Sequence, residues 1–463
     1  MEKKKFAVPH TYIILLGITI VCGLLTYLIP AGKYDMVPLA TGRMVVDPSS
    51  FRFIDQTPVA LFDFVTAVPE GMAAAAEIIF FIFIVGGSFF VLNATGAIDA
   101  GLGKLISAFK GKEKLIIPVI MAAFAFLGGS FGMAEETIPF IPIMITFAMA
   151  LGYDSITGVA IVFVGAAAGF STAFTNPFTV GVCQSISELP MFSGIQFRIG
   201  MFVVMVTMTI IFVMRYAGKI KKNPESSLMY ELDKTRTEKL DLNALPEFTW
   251  QRKVILLVLL GTIVMLLIGV LKLDWYLTEL SALFLIMGFI AALLGGLKLN
   301  GFALKLGEGM AGIAGGALIV GFARAILVVM TKGNIIHTML YAAAGALSHL
   351  SPMISVMGMY IFQGTLNFFV PSGSGQAALS MPIMAPLSDL LGITRQTAVV
   401  CYQLADGIAN VFFPTSGYFM AGLALAKVPY EKWVKWILPL IGAQYLLGAI
   451  FIAIAQAVQL GPF

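Results

Sequence analysis

Apolar residues run along this chain in stretches of about twenty, the length a helix needs to cross roughly 30 Å of bilayer hydrocarbon. The pattern predicts a first span at 11–29, a loop of about forty residues at 31–70 and a second span at 72–93. Residues 115–151 are apolar but broken, first at Gly128, Gly129, Ser130, Phe131 and Gly132 and again at Pro139 and Pro142, with Glu135 and Glu136 at the centre. A continuous helix is not expected there. The next stretch, 155–187, is too long for one simple span and is interrupted at Phe174, Thr175, Asn176 and Pro177. A span at 197–215 leads into the one clearly hydrophilic segment, 216–250. The second half predicts spans at 254–271, 277–297 and about 310–330, a broken stretch at 352–391, a discontinuous span at 397–425 and a last span at 437–458.

Charge placement orients these spans, because Lys and Arg near short loops stay on the cytoplasmic side. Lys3, Lys4 and Lys5 put the amino terminus inside, and the second span returns to Lys104, Lys110, Lys112 and Lys114. The hydrophilic segment carries Lys219, Lys221, Lys222, Lys234, Arg236 and Lys239, and a later loop carries Lys427, Lys432 and Lys435; both are assigned to the cytoplasm, which leaves the carboxyl terminus outside. The first span has too long an apolar core for a signal peptide and no small-residue cleavage site, so it reads as a retained span.

The two halves repeat. At an offset of 240, Pro142-Ile143-Met144 matches Pro382-Ile383-Met384, Leu151-Gly152 matches Leu391-Gly392, and Thr157 matches Thr397. At nearly the same offset Glu70-Gly71-Met72 matches Glu308-Gly309-Met310. The second half has one more span before its broken stretch, so the copies have opposite orientations: an inverted repeat of 1–215 and 251–463, joined by a linker at 216–250. Such repeats place a solute at the bilayer midplane, between broken helices whose freed backbone groups face a cavity.

Composition narrows the class. Hydrophobic residues make up 59% of the chain and charged residues 12%, with a mean hydropathy of +0.93, outside the range of soluble domains. The formal charge of +4 comes with no basic patch interleaved with aromatics, so nucleic acid is not an expected partner; lipid and a small solute are. Cys22, Cys183 and Cys401 lie in apolar segments and read as packing residues, and His10, His337 and His349 have no metal-ligand neighbours. No metal or other cofactor is expected, and no nucleophile–base pair or phosphate-cradling loop supports an enzyme.

Candidate chemistry gathers at the breaks. Ser130, Gly132, Glu135, Glu136 and Thr137 form the first cluster; adjacent carboxylates at membrane depth must face water, a cation or a partner, unless the segment is a solvated loop. The matching stretch carries Asn367, Ser372, Gly373, Ser374 and Gln376, with Ser and Gly in alternation as a re-entrant hairpin tip requires, a simple external loop being the alternative. Thr175 and Asn176 sit at the break before Pro177, and Asp406, Asn410, Thr415 and Ser416 at the corresponding break. Arg324, in an apolar span, is open to three roles: snorkelling, holding a carboxylate such as Asp406, or anchoring a substrate's carboxyl group. Glu77 reads as interfacial.

The runs Gly132-Met133-Ala134-Glu135-Glu136-Thr137, Phe369-Val370-Pro371-Ser372-Gly373-Ser374-Gly375-Gln376 and Gln403-Leu404-Ala405-Asp406-Gly407 resemble the YfcC-like, ArcD-like branch of the anaerobic four-carbon dicarboxylate carrier (DcuC) family, in the ion-transporter superfamily. The resemblance covers almost the whole chain. It implies an all-α polytopic membrane protein with two re-entrant hairpins and two discontinuous helices, acting as a homodimeric elevator in a bacterial inner membrane. Members are commonly labelled basic amino acid antiporters, with arginine/ornithine exchange as the usual suggestion. The paired Ser-Asn-Thr sequences of the dicarboxylate symporters are absent, with Glu135-Glu136-Thr137 and Thr175-Asn176-Pro177 near their expected positions. A site with Glu135, Glu136 and Asp406 repels a dianion and suits a cationic amino acid. The competing expectations are a H+- or Na+-coupled carrier of dicarboxylates, peptides or other organic anions, and a channel or membrane-embedded enzyme.

Overall fold

The computed structural model describes residues 11–38, 44–108, 113–236, 246–273 and 275–461. Lys3, Lys4, Lys5, His10, Lys110, Lys112 and Lys239 lie outside the described residues. The first half opens with α1 (Thr11–Leu25) and two antiparallel ribbons, β1 (Gly32–Lys33) with β4 (Arg52–Phe53) and β2 (Met36–Pro38) with β3 (Met44–Val46). It continues through α2 (Leu61–Ala74), α3 (Ala76–Ala94), α4 (Ala97–Ala108), α5 (Glu113–Phe131), a 3-10 turn (Glu135–Phe140), α6 (Ile141–Ala150), α7 (Ser155–Ser171), a wide turn (Pro177–Gly181), α8 (Val182–Ile186) and α9 (Ile195–Lys222). A short helix, α10 (Tyr230–Lys234), lies in the linker. The second half runs α11 (Trp250–Lys272), α12 (Leu277–Leu294), α13 (Leu299–Lys332), α14 (Ile336–Leu347), α15 (Pro352–Phe369), α16 (Gly373–Leu390), α17 (Arg395–Ala409), α18 (Gly417–Leu425) and α19 (Tyr430–Ala457).

Helix dominates because a backbone surrounded by lipid satisfies its own hydrogen bonds only in that form or in a closed barrel. Among the described residues Ala76–Ala94, Ile195–Lys222, Leu277–Leu294 and Tyr430–Ala457 are long and apolar enough to cross a bilayer, and the two arms of α13, bent by 41°, make a further span. The chain is a multi-pass membrane protein.

The structure corrects several boundaries. The loop expected to run to residue 70 ends at Leu61, where α2 begins, and it contains the two short ribbons, a local addition to an all-α architecture. Strands of two or three residues carry too little alternation to be read from sequence. Helix α9 continues past 215 to Lys222, where Lys219, Lys221 and Lys222 complement the negative end of its dipole. The helices α4 and α14 were not expected; at twelve residues each they are too short to register as spans.

Those two helices strengthen the repeat, since α4 at 97–108 and α14 at 336–347 have equal length and stand 239 positions apart. Gly152 and Gly392, matched in sequence, both take left-handed backbone, φ 82° and 67°. Asp154 caps α7 by accepting from the Thr157 amide at 2.9 Å, and Thr394 caps α17 by accepting from the Thr397 amide at 3.2 Å. The bent α13 stands where the first half has α2 and α3, separated by Ala75 alone. Helix α11 is the extra element, and one extra span turns the second copy over.

Packing falls into two groups. In one, α13 lies against α1, α2 and α3, α12 joins α3, and α11 joins α12 and α4. In the other, α5 covers α7, α15 covers α17, and α7 crosses α17 at the centre. Both central helices are buried along almost their whole length. Their crossing is close enough that a Cβ on Gly407 would lie 2.2 Å from Ser171 Cα. The groups meet where α13 and α3 face α18 and α3 faces the Glu135–Phe140 turn.

Candidate functional site

The first hairpin turns at Gly132, whose φ of 74° is left-handed, before the 3-10 turn at Glu135–Phe140. The Ala134 amide donates to Glu136 Oε2 at 3.0 Å and the Thr137 hydroxyl to the Ala134 carbonyl at 2.5 Å, so both side chains fold back on the tip. Pro139 and Pro142 lack the amide that would continue an ordinary α-helix through this point. Glu136 is buried, while Glu135 is only partly covered.

The break after α7 is stitched to this hairpin. The amides of Phe174 and Thr175 donate to the Gly129 carbonyl at 3.1 and 3.3 Å, and the Thr175 hydroxyl donates to the Ser130 carbonyl at 3.1 Å. Asn176 Oδ1 accepts from the amides of Phe178 and Thr179 at 2.9 and 3.3 Å, replacing the helical acceptors lost at the break.

The second hairpin is held by a polar chain. Asn367 Nδ2 donates to Asp406 Oδ1 at 2.6 Å and to Gln376 Oε1 at 3.1 Å, and Gln376 Nε2 donates to Gln363 Oε1 at 2.8 Å. Ser372 caps α16, and the Tyr402 hydroxyl donates to the Gly373 carbonyl. The start of α16 therefore sits on α17: a Cβ on Gly373 would lie 3.5 Å from Asp406 Oδ2 and 2.7 Å from Thr179 Cγ2.

These pieces enclose a cavity of about 330 Å³ on the seam between the two packing groups. From the central group come Gly132, Glu135, Glu136, Ser372, Gly373, Ser374, Asn410 and Thr415. From the other come Glu77, Tyr276, Ala323, Arg324 and Leu327. Ser130, Thr137, Asn176, Asn367, Gln376, Asp406 and Ser416 are buried and do not line it, and Thr175, half-buried, does not line it either. Ser130 Oγ, Asn176 Nδ2, Asn367 Oδ1, Asp406 Oδ2 and Thr415 Oγ1, from both halves, are buried with spare hydrogen-bonding capacity.

Arg324 does not pair with Asp406, one of whose oxygens is taken by Asn367. It lines the same cavity as Glu135 and Glu136. Glu77, read from the sequence as interfacial, also lines it and accepts from the Thr278 hydroxyl at 3.3 Å. Thr179, Tyr276 and Tyr418 were missed. Tyr418 follows Thr415 and Ser416 closely enough that extending the break by two residues finds it, whereas nothing around Tyr276 at the start of α12 marks it in the sequence.

The C4-dicarboxylate anaerobic carrier family model matches residues 8–457. The chain is 34% identical, over 98% of its length and 97% of the relative's, to an Escherichia coli K12 protein named "Putative basic amino acid antiporter YfcC". It is 28% identical to a Haemophilus influenzae Rd protein over 98% of both chains. Solved structures similar to it include the Alcanivorax borkumensis YdaH transporter, with 15% identity, TM-score 0.41 and coverage of 98% of this chain and 100% of that one. Neisseria gonorrhoeae MtrF, described as illuminating a class of antimetabolite efflux pumps, has 15% identity, TM-score 0.43 and coverage of 97% and 95%. With nearly its whole length matched, the chain belongs to the C4-dicarboxylate anaerobic carrier family of membrane transporters.

Proposed function

We propose that this carrier exchanges basic amino acids, of the arginine and ornithine type, across the bacterial inner membrane by an elevator movement. The observation that carries the substrate is the charge lining one enclosure: Glu77, Glu135 and Glu136 against Arg324, the one cation in its lining among the described residues. A basic amino acid brings two positive charges and one carboxylate, which complements that set. A C4-dicarboxylate brings two negative charges, one of which has no cation to face. At an effective dielectric near 20 a contact pair of unit charges is worth about 4 kcal/mol, so the difference in sign outweighs the gain from a good fit. Arg324 holds the substrate carboxylate and Glu135 with Glu136 the cationic end.

The movement is supported by the cavity wall being drawn from both packing groups. Helices α5–α9 and α15–α19 carry the hairpins and breaks, while α1–α3 and α11–α13 form the support against which they slide, within a homodimer whose amino termini are cytoplasmic. We place the division of the inverted repeat in the linker that follows α9, which ends at Lys222.

A second reading, a H+- or Na+-coupled dicarboxylate carrier, draws on Arg324 and on the family's description. Counterflow separates the two. Vesicles preloaded with ornithine take up labelled arginine in a saturable, trans-stimulated manner if the first reading holds; uptake of succinate without arginine overturns it.

A further inference from the structure

We propose that the linker arm, 223–236, is a built-in part of the central packing group: Arg236 does at one end of that group what Arg395 does at the other, and so positions α18 and the cavity residues at its start. The helices that follow the two breaks end alike. After α8 come Ser187, Glu188, Leu189 and Pro190, and after α18 come Ala426, Lys427, Val428 and Pro429, 239 positions further on. Glu188 and Lys427 both take left-handed backbone, φ 55° and 51°. The Leu189 amide donates to the Gln184 carbonyl and the Val428 amide to the Leu423 carbonyl, each at 2.9 Å. An end of this kind presents carbonyls that a cationic side chain can cap.

At the end of α8 the cap is Arg395, the first residue of α17. Its Nη1 donates to the Ser187 carbonyl at 3.0 Å, and Asp389 and Glu188 hold the guanidinium at 2.9 and 2.7 Å. By the repeat, the end of α18 should be capped by the first residue of α7. That residue is Ser155, which follows Asp154 as Arg395 follows Thr394, and its hydroxyl has no partner. The linker supplies the missing guanidinium. Arg236 Nη2 donates to the carbonyls of Ala426 at 2.6 Å and Lys427 at 3.3 Å, and its Nε donates to Asp233 Oδ1 at 2.7 Å. The other oxygen of Asp233 accepts from the Ser155 amide at 2.9 Å, which seats the pair at the position where the repeat falls short. The substitute is the more enclosed of the two, the Arg236 side chain being 6% exposed against 26% for Arg395. Two further bonds fasten the arm to both turns: the Ser227 hydroxyl donates to Asp154 Oδ2 and Lys432 Nζ donates to the Leu228 carbonyl, each at 2.6 Å. Helix α18 is nine residues long, a rod of about 14 Å, and its first two residues, Gly417 and Tyr418, line the cavity. Arg236 therefore acts on the site through the far end of this rod, without touching it.

The inference rests on the carrier reading for its transport readout alone, and not on which solute is carried. Full-length protein is compared by melting temperature and, in vesicles, by exchange of whichever solute gives counterflow. Arg236→Ala leaves the buried Asp233 without its cation and α18 without its cap, and is expected to melt below Arg395→Ala and to lower exchange by about tenfold or more. Ser155→Arg gives the first half the residue that the second half has. It is expected to restore melting and exchange to Arg236→Ala and to do neither for Arg395→Ala. Wild-type behaviour of Arg236→Ala overturns the proposal, as does a folded double variant that regains nothing or an equal effect of Ser155→Arg on both backgrounds. If the Ser155→Arg variants do not fold, hydrogen exchange decides: Arg236→Ala should lose protection at the 426–428 amides and keep it at 187–189, Arg395→Ala should do the reverse, and any other pattern overturns the proposal. If Arg236→Ala does not fold either, the wild type decides through the Ser155 amide, which lies in the first turn of α7 with Asp233 as its acceptor. Protection there equal to that of Lys427 and Val428 supports the anchored arm, and exchange at the rate of open chain overturns it. If no solute gives counterflow in the wild type, the carrier reading fails instead, and melting and protection still judge Arg236.

Discussion

Gly132→Ala tests the hairpin and the helix break together. At φ 74° an added Cβ costs about 1–2 kcal/mol from backbone strain alone. The Cβ would also stand 2.4 Å from Asn176 Oδ1 and 2.7 Å from its Cγ, so the side chain must move. That same oxygen caps the Phe178 and Thr179 amides, and losing a cap of this kind costs about 1 kcal/mol more. The combined effect is about 2–3 kcal/mol, falling on the residues beside Glu135 and Glu136. Gly152→Ala is the matched control: its φ is 82°, nothing lies within 4 Å of the new Cβ, and strain is the only effect. Purified variants are compared by melting temperature and by counterflow. Gly132→Ala should melt below Gly152→Ala and lose exchange by about tenfold or more, while Gly152→Ala exchanges at close to the wild-type rate. If Gly132→Ala melts with its control and transports like the wild type, the contact between the hairpin and Asn176 does not govern the site.

Glu135→Gln and Glu136→Gln each reduce arginine counterflow without reducing membrane insertion, measured by uptake against protein recovered in the membrane fraction; wild-type rates remove the carboxylates from the substrate's surroundings. Arg324→Gln raises the KM for the amino acid more than it lowers the maximal rate, as expected of a group that binds the carboxylate equally at every stage, and an unchanged KM rejects that role. Asn367→Ala leaves Asp406 Oδ1 and Gln376 Oε1 without their shared donor and lowers stability by about 1–3 kcal/mol, read as a fall in melting temperature; an unchanged melt means the second hairpin is held by other contacts. Beside the β1–β4 ribbon, Arg52 bonds both oxygens of Asp35 and holds its carboxyl below the ordinary carboxylate range. That contribution is complete above the unfolded pKa and is lost as pH falls through the lowered one, so the protection factors of the ribbon amides, taken against the intrinsic exchange rate at each pH, should fall in acid in the wild type and lose this pH dependence in Arg52→Ala.

Much of the architecture was legible because membrane spans are long and uniform. The interruptions at Gly132, Asn176-Pro177, Ser372-Gly373 and Pro414 could be placed to within a few residues, since Gly and Pro at lipid depth have few other uses. The bounds of α2 and the existence of α4 and α14 could not, because a twelve-residue helix matches neither a span nor a soluble amphipathic pattern. At the site, Glu135 and Glu136 announced themselves by charge in an apolar setting. Tyr276 and Thr179 did not, being ordinary residues made significant by what they face.

What the sequence determined by itself was the solvent, the repeat and the points where the helices break, all of which follow from local composition and backbone chemistry. The tertiary structure decided which of the polar residues at those breaks face the enclosure and which support it. It set Arg324 on the same cavity as Glu135 and Glu136 rather than beside Asp406. These are relations between segments far apart in the chain, fixed by how helices pack and cross, and no local pattern of residues encodes them.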